Sequence, residues 1–82
     1  MSRARDVVEV VAKALVDHPD SVQVDERVDR DGLRIALTTR SGDLGKLIGR
    51  RGRTASAVRT LAEIAAERDG AQAAVDFLDS EE

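Results

Sequence analysis

Leu47-Ile48-Gly49-Arg50-Arg51-Gly52 limits what this chain can fold into more than any other stretch. It separates two segments with the apolar spacing of helices. The first covers residues 44–48, with Leu44, Leu47 and Ile48 directed inward. The second covers residues 53–68, with Ala55, Val58, Leu61, Ala62 and Ala65 on one face and Ile64 widening it. Two glycines without Cβ atoms allow positive φ and close approach of another backbone. The turn precedes a helix whose first N–H groups lack intrahelical acceptors and carry partial positive charge. Arg50, Arg51 and Arg53 add forked donors suited to phosphate oxygens. Thr54 and Ser56 fall in the first turn of the second helix, where a hydroxyl caps the helix, meets solvent or touches a phosphate.

The flanking segments supply the rest of a small α+β domain. Residues 4–17 place Ala4, Val7, Val8, Val11, Ala14 and Leu15 on one helical face. Ser2 and Asp6 are the available capping residues, and His18-Pro19 ends the helix. His18 is expected to be an ordinary helix-terminus residue. Residues 21–29 and 33–39 alternate, through Val22, Val24 and Val28 and then Leu33, Ile35, Leu37 and Thr39. Asp29-Arg30-Asp31-Gly32 between them is turn chemistry, so the two strands form an antiparallel hairpin. Glu26 breaks the apolar alternation and is expected at a bulge or a frayed end. Ser41-Gly42-Asp43 is expected to be a loop with Asp43 as N-cap of the short helix. Asp69-Gly70 stops the long helix. Residues 72–78, with Ala73, Val75 and Phe77 on one side, make a third strand. The core is expected over 4–79. Asp79-Ser80-Glu81-Glu82 is an acidic, frayed end, with 80–82 outside the core.

Composition removes several function classes. At 82 residues the chain holds one domain, 1–82, with one small core. It has no cysteine and one histidine, which leaves no thiolate or histidine metal cluster and no nucleophile–base pair. Gly45-Lys46 is followed by Leu47, so there is no Walker loop, and no G-x-G-x-x-G occurs. An enzyme, a cofactor and a small-molecule substrate are therefore not expected. No run is long enough to cross a bilayer and the N-terminus has no secretory apolar region, so a cytoplasmic protein is expected. The net charge is −3, but it is unevenly spread. Residues 40–59 carry +5 (Arg40, Lys46, Arg50, Arg51, Arg53 and Arg59 against Asp43) and the remainder −8. Local potential governs phosphate attraction, because charges beyond about 8–10 Å are screened. One basic face on an acidic body implies modest, salt-sensitive binding of nucleic acid.

The order helix, strand, strand, short helix, G-x-x-G, long helix, strand resembles a type II (prokaryotic) KH domain. The Ile-Gly-Arg-Arg-Gly-Arg run within residues 44–61 is similar to the KH signature. A domain filling the whole chain resembles the small stand-alone bacterial KH proteins of the KhpA family. The resemblance implies a three-stranded mixed sheet with helices on one face, and single-stranded RNA lying between the turn and the sheet edge, about four nucleotides to a domain. It implies that Gly49, Arg50, Arg51 and Gly52 clamp the RNA backbone, with Lys46, Arg53 and Arg59 as flanking phosphate contacts. Ile48 and Val58 would form an apolar floor for bases, unless they belong to the core. It further implies an RNA chaperone or post-transcriptional regulator, with a larger KH-containing partner (KhpB, Jag-like), a homodimer, or both. Single-stranded DNA remains open as a ligand. A second reading is a protein-interaction module, in which the Val-rich first helix and Ala-rich long helix offer small-residue surfaces to another KH domain and RNA binding is secondary.

Overall fold

The computed structural model describes residues 2–80. The elements are α1 (Arg3–Leu15), β1 (Gln23–Asp29), β2 (Gly32–Thr39), α2 (Ser41–Ile48), α3 (Arg53–Arg68) and β3 (Ala73–Asp79), with short 3₁₀ turns at Pro19–Ser21 and Arg50–Gly52. The sheet order is β1-β2-β3. β1 and β2 pair antiparallel through a tight turn at Arg30-Asp31, whose Asp31 N–H donates to the Asp29 carboxylate (2.8 Å). β2 and β3 pair parallel, Ile35 opposite Val75 and Leu37 opposite Phe77. A parallel pair needs a long crossover; here it is α2, the Gly-Arg-Arg-Gly turn and α3.

Helices cover one face of the sheet. Val24, Ile35, Leu37 and Val75 meet Ala4, Val8 and Ala12 of α1, Leu47 of α2, and Val58, Ala62, Ala65 and Ala66 of α3 in one core. The alanines allow α1 and α3 to pack directly on each other. The small-residue surfaces of these helices are thus largely used within the domain. The inward stripes differ from expectation by a fraction of a turn. Ala12 and Val16 are buried, whereas Ala14 is exposed and Leu15 is 43 % exposed; Leu61 and Ile64 face outward at 43 % and 51 %. Helix α3 therefore buries Ala55, Val58, Ala62, Ala65 and Ala66. With α1 and the sheet already in contact, its larger side chains have no room inside.

Other expectations also change. Ser2 caps α1, its Oγ accepting from Arg5 N–H at 3.0 Å. Glu26 lies in regular pairing opposite Ile35, with neither bulge nor fraying. Its carboxylate accepts from Ser2 N–H (2.8 and 3.2 Å), so it closes the open end of α1 from across the fold. That backbone donor, against the opposing effect of burial, holds the Glu26 carboxyl below its ordinary range. Asp79 is paired in β3, and Ser80 N–H donates to Thr39 O at 2.8 Å, so the end of the chain is held through Ser80. The rest of the expected tail, Glu81 and Glu82, lies outside the described residues. Helix α3 stops as expected: Gly70, at φ 72°, lets its own N–H reach Glu67 O (3.0 Å) and Ala71 N–H reach Ala66 O (2.9 Å).

Thr39 continues the inward row of β2 and is fully buried, yet its Oγ1 has no hydrogen-bond partner among the described residues. A buried hydroxyl without a partner costs roughly 1–3 kcal/mol. Thr39→Val keeps the shape and is expected to raise stability by about 1 kcal/mol, measured as a higher urea midpoint at unchanged m-value. A lower midpoint would show that the hydroxyl is satisfied in solution.

Candidate nucleic-acid interface

The end of β2 turns directly into α2. Arg40 is extended (φ −61°, ψ 145°) and Asp43 N–H already donates to its carbonyl at 2.8 Å, so α2 begins at Ser41 rather than after Asp43. Asp43 is therefore not a cap. It is the third residue of the helix, 2 % exposed, with its carboxylate turned back to the chain that follows α1. There it accepts from His18 N–H (3.0 Å) and from His18 Nδ1–H (3.1 Å). His18 is accordingly not a helix-end residue: α1 closes at Val16, and His18 joins the α1–β1 connection to α2. Burial pushes the Asp43 carboxyl up, but donation from His18 and the neighbouring backbone outweighs it and leaves it below the ordinary carboxylate range.

The sign of the resulting pH dependence is definite. A carboxyl depressed in the folded state contributes stability above its unfolded pKa, lost as pH falls through the folded value. Asp43, Glu9 and Glu26 are all depressed. Asp43→Asn is expected to be less stable at neutral pH and to lose less stability than the parent between about pH 5 and pH 2. Urea midpoints across that range test it; parallel curves for the two proteins would remove Asp43 from the acid response.

From Leu47, fully buried, the helix leaves Ile48 half-buried at its end. Gly49 then takes φ 75°, ψ 175°, Arg51 φ 57°, ψ 24°, and Gly52 φ 72°, ψ 15°. The two glycines are not equivalent. A Cβ on Gly49 would lie 2.3 Å from Thr54 Oγ1 and 2.8 Å from Thr54 Cβ, so the space is already filled by the first turn of α3. A Cβ on Gly52 would meet nothing within 4 Å. The open approach at this turn is thus at Gly52, and Gly49 is required for internal packing. Thr54 belongs to that packing, whereas Ser56 is exposed. Arg51 is the only non-glycine residue with positive φ among those described, and the left-handed region costs an L residue about 1–2 kcal/mol.

No side chain caps α3 at Gly52. Arg50, Arg51 and Arg53 are exposed and make no ion pair among the described residues. Lys46 differs: it pairs with Asp17 and lies 4.0 Å from Asp43, which raises its pKa. It is thus partly neutralised on the side of α2 facing the end of α1. Val58 is 2 % exposed and belongs to the core. Ile48 and Arg59 instead line a groove with Phe77 and Leu78 of the edge strand β3. The structure thus gathers Gly49, Arg50, Arg51, Gly52 and Arg53 at one elbow and leaves Ile48 and Arg59 beside the groove. Spacing does not mark Phe77 as a site residue; the available signal is that it is the chain's one aromatic side chain.

The helix order, the mixed sheet covered on one face, and a glycine-bracketed elbow between α2 and α3 define a type II KH fold. Residues 5–77 match the family model for the KhpA/KhpB KH domain, and the chain belongs to that family. Similar proteins include the RNA-binding protein KhpA of Halalkalibacterium halodurans, 44% identical over 73 residues, which cover 89% of this chain and 96% of that protein. The KhpA of Clostridium perfringens is 35% identical over 74 residues, 90% of this chain and 99% of its own length. That of Mycobacterium tuberculosis is 48% identical over 56 residues, 68% of this chain and 70% of its own. KH domains are binding modules, which sets the chain apart from enzymes.

Proposed function

We infer that this chain binds single-stranded RNA as a single KH unit, holding the sugar–phosphate backbone at Gly49-Arg50-Arg51-Gly52. The observation that carries the reading is the open space at Gly52 beside arginines that make no ion pair among the described residues. A backbone can settle there against bare main chain, while Arg50, Arg51 and Arg53 supply charge-assisted bonds to its phosphates. Ile48 forms an apolar wall next to the elbow, and Arg59 reaches the same groove. Lys46 contributes to the local potential while shared with Asp17. The relatives named as RNA-binding proteins, matched over nearly their whole length, support the same ligand. The biological role that follows is RNA chaperoning or post-transcriptional regulation in the cytoplasm, without catalysis. No helix among the described residues is long and apolar enough to cross a membrane.

Titration of labelled single-stranded and duplex RNA at several salt concentrations tests this reading. Preference for the single strand, with log K falling by about 0.7 per neutralised phosphate per decade of salt, is expected. Absence of binding at low salt, alone and with a KH-containing partner, would refute it. A second reading, association with another copy or with a larger KH protein such as KhpB, is favoured by Leu61 and Ile64, 43 % and 51 % exposed on α3. Isolated exposed residues are ordinary, but two apolar ones a turn apart form a patch. Light scattering that finds a monomer at micromolar concentration would remove the homodimer.

A further inference from the structure

Phe77 is the sole aromatic residue of the chain, and the domain does not bury it completely. One side packs on the core; the ring also borders the groove that Ile48 and Arg59 line. The Arg59 guanidinium carbon stands 4.9 Å from the ring centroid, within cation–π range. Glu63 lies one helical turn further along α3, in the weaker order with the cation first, and Arg59 makes no ion pair among the described residues. Asp76, which lines the same groove, is engaged by Arg34 at 2.9 Å. Arg59 is thus held over an aromatic ring with its forked donors uncommitted among the described residues.

We propose that Arg59, supported by Phe77, contacts a base rather than a phosphate, and that it favours a base presenting two adjacent acceptors, as guanine does with O6 and N7. The proposal rests on the RNA-binding reading above and assigns the base-facing part of that site. The chemistry follows from the donor set. Arginine is the side chain whose planar fork matches the guanine O6/N7 edge, and a good bidentate pair discriminates by about 1–3 kcal/mol, roughly five- to 150-fold. The guanidinium plane also offers a stacking surface, of the kind by which single-stranded bases are commonly held. A phosphate contact would require only the charge, which lysine also provides; a planar fork over a ring is something lysine cannot reproduce.

That difference makes the test. Affinities would be measured for uridine octamers carrying one central guanine, adenine or cytosine, at several salt concentrations, with the wild type, Arg59→Lys and Phe77→Leu. Circular dichroism would confirm that each variant is folded. The wild type is expected to prefer the guanine octamer about tenfold. Arg59→Lys should lose that preference while its salt slope stays within experimental error of the parent's. Phe77→Leu, which keeps an apolar side chain on the core, should weaken the guanine octamer most. Equal binding of all octamers by the wild type, a preference for the cytosine octamer (whose O2 and N3 are the other adjacent acceptor pair), or an Arg59→Lys variant with unchanged guanine preference overturns the assignment. Arg50→Asp/Arg51→Asp serves as the separate control for the parent reading. If that variant loses binding while Arg59→Lys behaves as wild type, the RNA reading survives and only the base contact fails.

Discussion

Replacing Arg50 and Arg51 together by aspartate is expected to lower affinity for single-stranded RNA by about a hundredfold or more. Each hydrogen bond to a charged group is worth about 1.5–3 kcal/mol, and two are removed. The substitution also reverses the local charge by four units on a chain already at −3. The slope of log K against log salt should become shallower by about 1.4, the release expected for two phosphates of a single strand. Folding should be little affected by the loss of contacts, because both side chains are exposed and neither makes an ion pair among the described residues. Thermal melts would verify this before the titration. A folded variant that still binds RNA like its parent would contradict the assignment of the elbow as the grip.

Gly49→Ala is expected to have the largest effect on stability. The backbone there, φ 75° with ψ 175°, belongs to a region populated essentially by glycine, and a forced L residue costs about 1–3 kcal/mol. The added methyl would also lie 2.3 Å from Thr54 Oγ1. Together these should remove about 3 kcal/mol, which for a domain of this size lowers Tm by roughly 12–24 °C. Gly52→Ala provides the contrast. Its φ of 72° also strains an alanine, by about 1–2 kcal/mol, but the new methyl enters open space. It should remain folded and lose RNA affinity. If Gly49→Ala melts with the parent, or if Gly52→Ala proves the less stable of the two, the division of labour between the glycines is wrong.

The topology was legible because its signals are local. The apolar row of β2 and the glycine after α3 each act within a few residues and fall where periodicity and turn chemistry place them; of the valine row before the hairpin, Val22 and Val24 are buried, but Val28, beside the turn, is 74 % exposed. The elbow was legible for the same reason. What could not be read were contacts that span the chain. Glu26 appeared as a flaw in a strand because its donor, Ser2, is 24 residues away. Asp43 resembled a local cap because residues that cap helices are also good acceptors for distant N–H groups; its partner His18 is 25 residues earlier. The faces of α1 and α3 were misjudged at Leu15, Leu61 and Ile64 because a hydropathy stripe is wider than the area that neighbouring elements can cover. Within the site, spacing could not distinguish Gly49 from Gly52. That distinction lies in a side chain, Thr54, folding back on one of them.

Asp43 fastens the first turn of α2 to the bend that follows α1, and α2 ends at the elbow. The angle at which the elbow is presented is therefore held in part by residues 17 and 18, which lie outside the elbow itself. Two members of this family with identical residues from 41 to 59 would aim the same clamp differently where one lacks the imidazole at 18 that meets Asp43 or the carboxylate at 17 that meets Lys46. Their RNA affinities would then diverge although their binding motifs agree letter for letter.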